Sequence, residues 1–253
     1  MDALILAGGK CPEDLARATR CVVKANLLWN GRRLVDQVVS ALRNSDIGLE
    51  KMVCVGARVP SAENIEGGEN FFESMSRGLS ACNAKNIIVT TADLPFISKE
   101  SIEDFVSRAE PNAAINWAIV PMKECKEKFP GIARTSVRLR EGHFTGGNIA
   151  LLERESFEKI LPILQKAYEN RKSPWRLAWQ IGLFVLLQLA ISRLFPAVLS
   201  IRRIENVVSK KLGVAAKVVI SHYPEIATDV DTLEQYQAAL RWREALEVSS
   251  RRL

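Results

Sequence analysis

The stretch DALILAGG, residues 2–9, decides the fold. Its apolar run reads as a strand buried on both faces, and two glycines stop it in a tight turn. Such a strand belongs to a parallel sheet covered by helices, and the next hundred or so residues repeat the theme. Met52–Gly56 (MVCVG), Asn86–Thr91 (NIIVTT) and Ala113–Met122 (AAINWAIVPM) are further runs of this kind. Between them, Arg33–Arg43 sets Leu34, Val38, Val39 and Leu42 on one helical stripe. Phe71–Cys82 does the same with Phe72, Met75, Leu79 and Cys82, and a third helix starts at Ser98, after Pro95. This alternation predicts an α/β sandwich of three layers, Rossmann-like, with helices on both faces of the sheet.

Beyond Gly131 the pattern changes. An extended Arg-rich segment (IARTSVRLR, 132–140), a turn at Glu141-Gly142 and a strand candidate at Asn148–Leu152 bring mixed strands into the mostly parallel sheet. Helical periods run from Glu153 to Ala167 and on to Leu212, followed by a strand at Ala216–Ile220 and a last helix from Thr232 to about Val248. With no linker or repeat, residues 1–253 read as one domain that carries a helical insertion over 153–212.

Composition narrows the function classes. A hydrophobic fraction of 47% and a charged fraction of 25% exclude a disordered or fibrous chain. Lys+Arg 35 against Asp+Glu 29 gives +6, an excess that suits an anionic small molecule or membrane surface and does not call for nucleic acid. Five cysteines, odd in number and never spaced C-x-x-C, point away from a disulfide framework or structural zinc and toward a reducing cytoplasm. The N-terminal run is too short for an export signal and has no basic residues before it.

Three places carry chemistry. At Gly8-Gly9 the missing Cβ atoms let backbone N–H groups approach an anion, though a plain strand-ending turn uses the same residues. The loop is neither G-x-x-x-x-G-K-[ST] nor G-x-G-x-x-G, which disfavours P-loop and dinucleotide readings. Asp93, in TADLP, stands just past a buried strand, where open α/β sheets bind ligands, and its hard carboxylate suits Mg²⁺; the alternative is a cap for the helix at Ser98. Asp229 and Asp231 precede the last helix and serve either as its cap or as further carboxylates at the same mouth.

Taken in order, LAGG near the start, Lys24 in VVKANLLWNGRRLVD, TADLPF around Asp93 and DVDTLEQY near the end resemble the nucleotidyltransferases related to molybdenum-cofactor guanylyltransferases. More remotely they are similar to sugar-1-phosphate and methylerythritol-phosphate cytidylyltransferases. The resemblance spans about residues 2–122 and 216–240 and implies a fold like that of GT-A glycosyltransferases. It also implies that Leu6, Ala7, Gly8, Gly9 and Lys10 hold NTP phosphates, that Lys24 contacts them, and that Asp93 binds Mg²⁺ with Asp231, Asp229 being the reserve ligand. Glu66–Asn70 resembles the family's base-binding segment, with Asn70 and Ser74 as contacts, while Gly147 and Asn148 fall where relatives hold the acceptor. One departure is CPEDL, residues 11–15, which replaces the usual loop and leaves the family's arginine to Arg17 or Arg20.

The implied reaction moves an NMP from an NTP to a phosphorylated small-molecule acceptor. An acceptor oxygen attacks the α-phosphorus and pyrophosphate leaves, with no covalent enzyme intermediate. His143 and His222 then need no catalytic role, and Arg138 with Arg140, on one strand face, offers a place for an anion or a solvated edge. Two other readings compete: a nucleotide-sugar glycosyltransferase, whose Asp-x-Asp would come mid-chain rather than at Asp229–Asp231, and a non-catalytic nucleotide-binding regulator. The segment 175–203, with Trp175, Trp179 and flanking basic residues, fits a helix in a membrane interface; a self-packing hairpin or homodimer contact is the more ordinary use of such a length.

Overall fold

The computed structural model describes residues 1–169 and 199–250. In chain order the elements are β1 (Asp2–Leu6), α1 (Glu13–Thr19), β2 (Leu28–Trp29), β3 (Arg32–Arg33), α2 (Leu34–Asn44), β4 (Lys51–Val55), β5 (Glu63–Ile65) and α3 (Phe71–Ala81). There follow β6 (Asn86–Thr91), α4 (Lys99–Arg108), β7 (Ile115–Pro121), α5 (Met122–Lys128), β8 (Ser136–Leu139) and β9 (Gly142–Glu153). The chain closes with α6 (Arg154–Glu169), α7 (Ile201–Leu212), β10 (Ala216–Ile220) and α8 (Leu233–Ser250).

One sheet runs β10-β7-β9-β6-β1-β4-β5, with β8 paired to β9. β1 lies parallel to both β4 and β6, β5 to β4, and β10 to β7, whereas β9 runs antiparallel to its neighbours. Alternation along β1 distributes the core. Ala3, Ile5 and Ala7 face Val35, Val38 and Leu42 of α2 with Ile102 and Phe105 of α4, while Leu4 faces Phe72, Met75 and Leu79 of α3 with Phe157 and Ile160 of α6. Both faces are dry, which is why β1 reads as an unbroken apolar run.

The layout is the mixed, mostly parallel sandwich expected from the sequence. Strands β6 and β10 begin and end where the apolar runs do. Four local elements escaped the reading: α1 within CPEDLARAT, the β2–β3 hairpin, β5 and α5. Each is no longer than 7 residues, too short for its own period to show. The strand expected at Asn148–Leu152 begins six residues earlier, at Gly142. Residues 144–148 are therefore strand interior. Arg140 lies beyond the end of β8, so it does not share a strand face with Arg138.

Most of segment 175–203 lies outside the described residues, as does much of the insertion expected over 153–212. At its end, Leu199 packs with Leu139 and Phe144, and Ser200 caps α7 by accepting the Arg203 N–H. Among the described residues, no helix is long and apolar enough to cross a membrane.

Candidate active site

The carboxyl ends of β1, β4 and β6 meet at one edge of the sheet, and the chain turns there at Ala7–Lys10, Gly56 and Ala92-Asp93. Gly56, at φ 93°, has its backbone so close to Gly8 that a Cβ would sit 2.5 Å from the Gly8 Cα. Only glycine fits that crossing. Among the described residues, no group accepts a hydrogen bond from the N–H of Gly8 or Gly9, so both remain available to an anion.

These turns line a cavity of about 670 Å³ with Lys24, Thr91, Gly67, Gly68, Asn70, Phe71 and Ser74. Asn70 caps α3 through its Oδ1, which accepts the Glu73 N–H at 3.0 Å, and the Ser74 Oγ accepts the Gly68 N–H at 2.9 Å. Their acceptor atoms are thus engaged locally, and both face a ligand mainly as donors. Phe71 is half-exposed on the same wall.

The acidic residues converge at the other end of the cavity. One oxygen from each of Asp93, Asp229 and Asp231 lies within 4.8 Å of the others. The cap readings fail for all three. Ser98 and Ser101 cap α4 reciprocally without Asp93, and the start of α8 is held by Thr232 and Gln235. Gln235 Oε1 accepts the N–H of both Asp231 and Thr232, and the Val230 N–H donates to the Asp93 carbonyl, which ties the two acidic segments together.

Lys24 completes the cluster. Its Nζ donates to Asp93 Oδ2 and, at 2.6 Å, to Asp231 Oδ1. Burial pulls this ammonium toward neutrality, but the facing carboxylates outweigh it and hold its pKa well above the ordinary lysine value. Among the described residues, no ammonium or guanidinium forms an ion pair with Asp229. Burial first, then Asp231 and Asp93, pushes its carboxyl up to about 6. Asp93 Oδ1 is buried with no hydrogen-bond partner among the described residues. An orphaned carboxylate oxygen beside two more carboxylates is a hard-donor set that fits Mg²⁺.

A second cavity, of about 710 Å³, opens on the far side of Asp229 and Asp231. Gly147 and Asn148 line it, together with Trp117, Arg134, Thr145 and Gln235. They reach it through an irregularity in β9: Ala150 pairs with Trp117 but Gly146 pairs with Ile119, so extra residues bulge out opposite Ala118. The Arg134 guanidinium is fixed there by donating to the carbonyls of Ile132 and Ala227 and to Thr228 Oγ1, neutral groups that position it without cancelling its charge.

Several expected residues stay outside both cavities. Arg17 pairs with Glu13 on the surface of α1, and Arg20 ends that helix in the left-handed conformation. Arg138 and Arg140 line neither cavity. His143 and His222 hydrogen-bond Ser136 and Glu124, away from the acids. Thr91, Phe71, Gly56, Trp117 and Gln235 also line the cavities without standing out in the sequence, except that Gln235 carries a local signal, the T-x-x-Q box beginning at Thr232.

The family model for the MobA-like NTP transferase domain matches residues 3–155 of this chain. The chain belongs to that family. A hypothetical transferase structure from Thermus thermophilus is 34% identical with a TM-score of 0.82, over 92% of this chain and 98% of that one. The MobA-like fold recurs in a nucleotidyl transferase from Methanothermobacter thermautotrophicus, at 13% identity and a TM-score of 0.56 over 96% of this chain and 98% of its own. It recurs again in the 2-C-methyl-D-erythritol 4-phosphate cytidylyltransferase of Francisella tularensis, at 12% identity and a TM-score of 0.56 over 95% of this chain and 99% of that one. No curated protein sequence matches. For a MobA-like domain, an NTP is the expected substrate and nucleotidyl transfer the expected class of reaction.

Proposed function

We propose that this enzyme transfers an NMP from an NTP to a phosphorylated small-molecule acceptor, releases pyrophosphate and works with Mg²⁺. The observation that carries the reading is the meeting of two cavities at one acidic cluster: the glycine turns and Lys24 line one, Gly147 and Asn148 the other, with Asp231 bonded to Lys24 between them.

The chain's own groups divide the work. The Gly8 and Gly9 N–H groups and Lys10 receive the NTP phosphates at the end of β1. Asn70 and Ser74 donate to the base, and the half-exposed Phe71 ring gives it a flat apolar wall. Asp93 and Asp231, with Asp229 beside them, would hold the Mg²⁺, which supplies charge neutralisation on the phosphates when bound. Lys24, which lines the same cavity as the glycine turns, brings a second positive charge to the phosphates. Asn148 and the Gly147 backbone position the acceptor so that its phosphate oxygen approaches the α-phosphorus from the side opposite the leaving pyrophosphate. Because that oxygen is already a nucleophile, no general base is needed, and neither histidine lies near the acids.

The test is pyrophosphate release from each of the four NTPs, supplied with Mg²⁺ and a panel of phosphorylated small molecules. The reading expects release with one NTP and one acceptor class, abolished by Asp93→Ala. Release that survives Asp93→Ala would refute it.

A further inference from the structure

The Lys24 side chain is placed for more than contact with phosphates. Its backbone N–H donates to the Gly9 carbonyl at 2.8 Å, which pins the residue to the glycine turn. From there the stem runs across Gly9: a Cβ on that residue would stand 3.0 Å from the Lys24 Cε and 3.7 Å from Nζ. A side chain at Gly9 would press on the lysine stem where it crosses. At the end of the stem the ammonium is bonded to Asp93 and Asp231, two of the three carboxylates that fit a divalent cation. An ammonium on one oxygen of each of these two carboxylates and a divalent ion held by the same carboxylates repel each other, so each weakens the other's hold.

We propose that Lys24 is a tethered counter-cation that competes with the divalent ion for Asp93 and Asp231, and that the NTP phosphates decide the competition. Rotation of the flexible four-carbon stem moves the ammonium from the acids to phosphate oxygens held on the Gly8-Gly9 turn, and the carboxylates are released to the metal. Nucleotide and metal then enter as a cooperative pair, and the coupling is reciprocal: whatever factor the nucleotide adds to metal affinity, the metal adds to nucleotide affinity. This inference rests on the acidic cluster being a metal site.

The probe is Mn²⁺, titrated into the full chain and followed by the electron spin resonance of the free ion, for the native protein and Lys24→Met, before and after addition of a non-hydrolysable NTP. Before nucleotide is added, Lys24→Met should bind Mn²⁺ at least tenfold more tightly than the native chain, and the enhancement by the NTP analogue should be at least threefold smaller in the variant. Lys24→Gln serves the same comparison if Lys24→Met fails to fold by circular dichroism. Equal or weaker Mn²⁺ binding by the folded variant overturns the competition and leaves the metal site standing. No Mn²⁺ uptake by either protein, with or without nucleotide, overturns both.

Discussion

Replacing Asp229 by Asn should stabilise the metal-free protein at alkaline pH, and the size follows from the carboxylate cluster. Burial and the neighbouring Asp231 and Asp93 raise the Asp229 pKa from 3.8 to about 6. A carboxyl whose folded pKa is raised favours the fold while protonated, below 3.8, and loses that advantage as pH rises through about 6. At pH 8 the ionised group therefore costs the native state about 3 kcal/mol, at 1.36 kcal/mol for each pH unit between the two values. Asn removes the charge, so the variant should melt about 6–12 °C above the native chain at pH 8 in EDTA, for a domain of this size. By the same linkage the difference shrinks to about 1 kcal/mol at pH 4.5. Mg²⁺ should then stabilise the native chain in proportion to RT ln(1 + [L]/Kd), and the variant less, because it lacks one carboxylate. Thermal unfolding followed by circular dichroism at the two pH values gives all of these. A variant less stable than the native chain at pH 8 in EDTA, or an identical difference at both pH values, would refute the reasoning.

Other expectations are quickly checked. Gly56→Ala drives a Cβ into the Gly8 backbone at a positive φ and should cost about 2–4 kcal/mol of stability in urea unfolding. Lys24→Ala should lower kcat/KM for the NTP at least tenfold, about 1.4 kcal/mol, in steady-state kinetics; an unchanged value would remove Lys24 from the site. Gln235→Ala breaks the box that holds the Asp231 and Thr232 N–H groups, and should cost about 1 kcal/mol of stability and weaken divalent-ion binding as read by calorimetry.

Most of the scaffold was legible because its signals are local. Strands buried on both faces must be apolar throughout, so β1 and β6 declare themselves, and α2 and α3 show their stripes. The three acids stand out in the sequence without declaring a role, because a carboxylate just before a helix serves equally as its cap; the structure gives that place to Ser98 and Thr232. What stayed hidden depends on register between distant segments. Nothing near Gly147 says that β9 bulges opposite Ala118, because that is decided by its pairing with β7, and nothing near Trp117 says that its indole faces a cavity closed by Thr232 and Gln235. Gly9 reads as a phosphate-loop glycine, yet its nearest demand is the stem of Lys24, brought back by the return of the chain through Val22 to Lys24.

Nucleotidyl transfer as proposed requires one divalent ion among Asp93, Asp229 and Asp231 beside the glycine turns. Anomalous diffraction from crystals soaked with Mn²⁺ and a non-hydrolysable NTP measures this directly. A single strong peak within coordination distance of Asp93 and at least one of the two later aspartates, touching the nucleotide phosphates, is the predicted result; a peak elsewhere, or nucleotide phosphates bound away from Gly8 and Gly9, would contradict it.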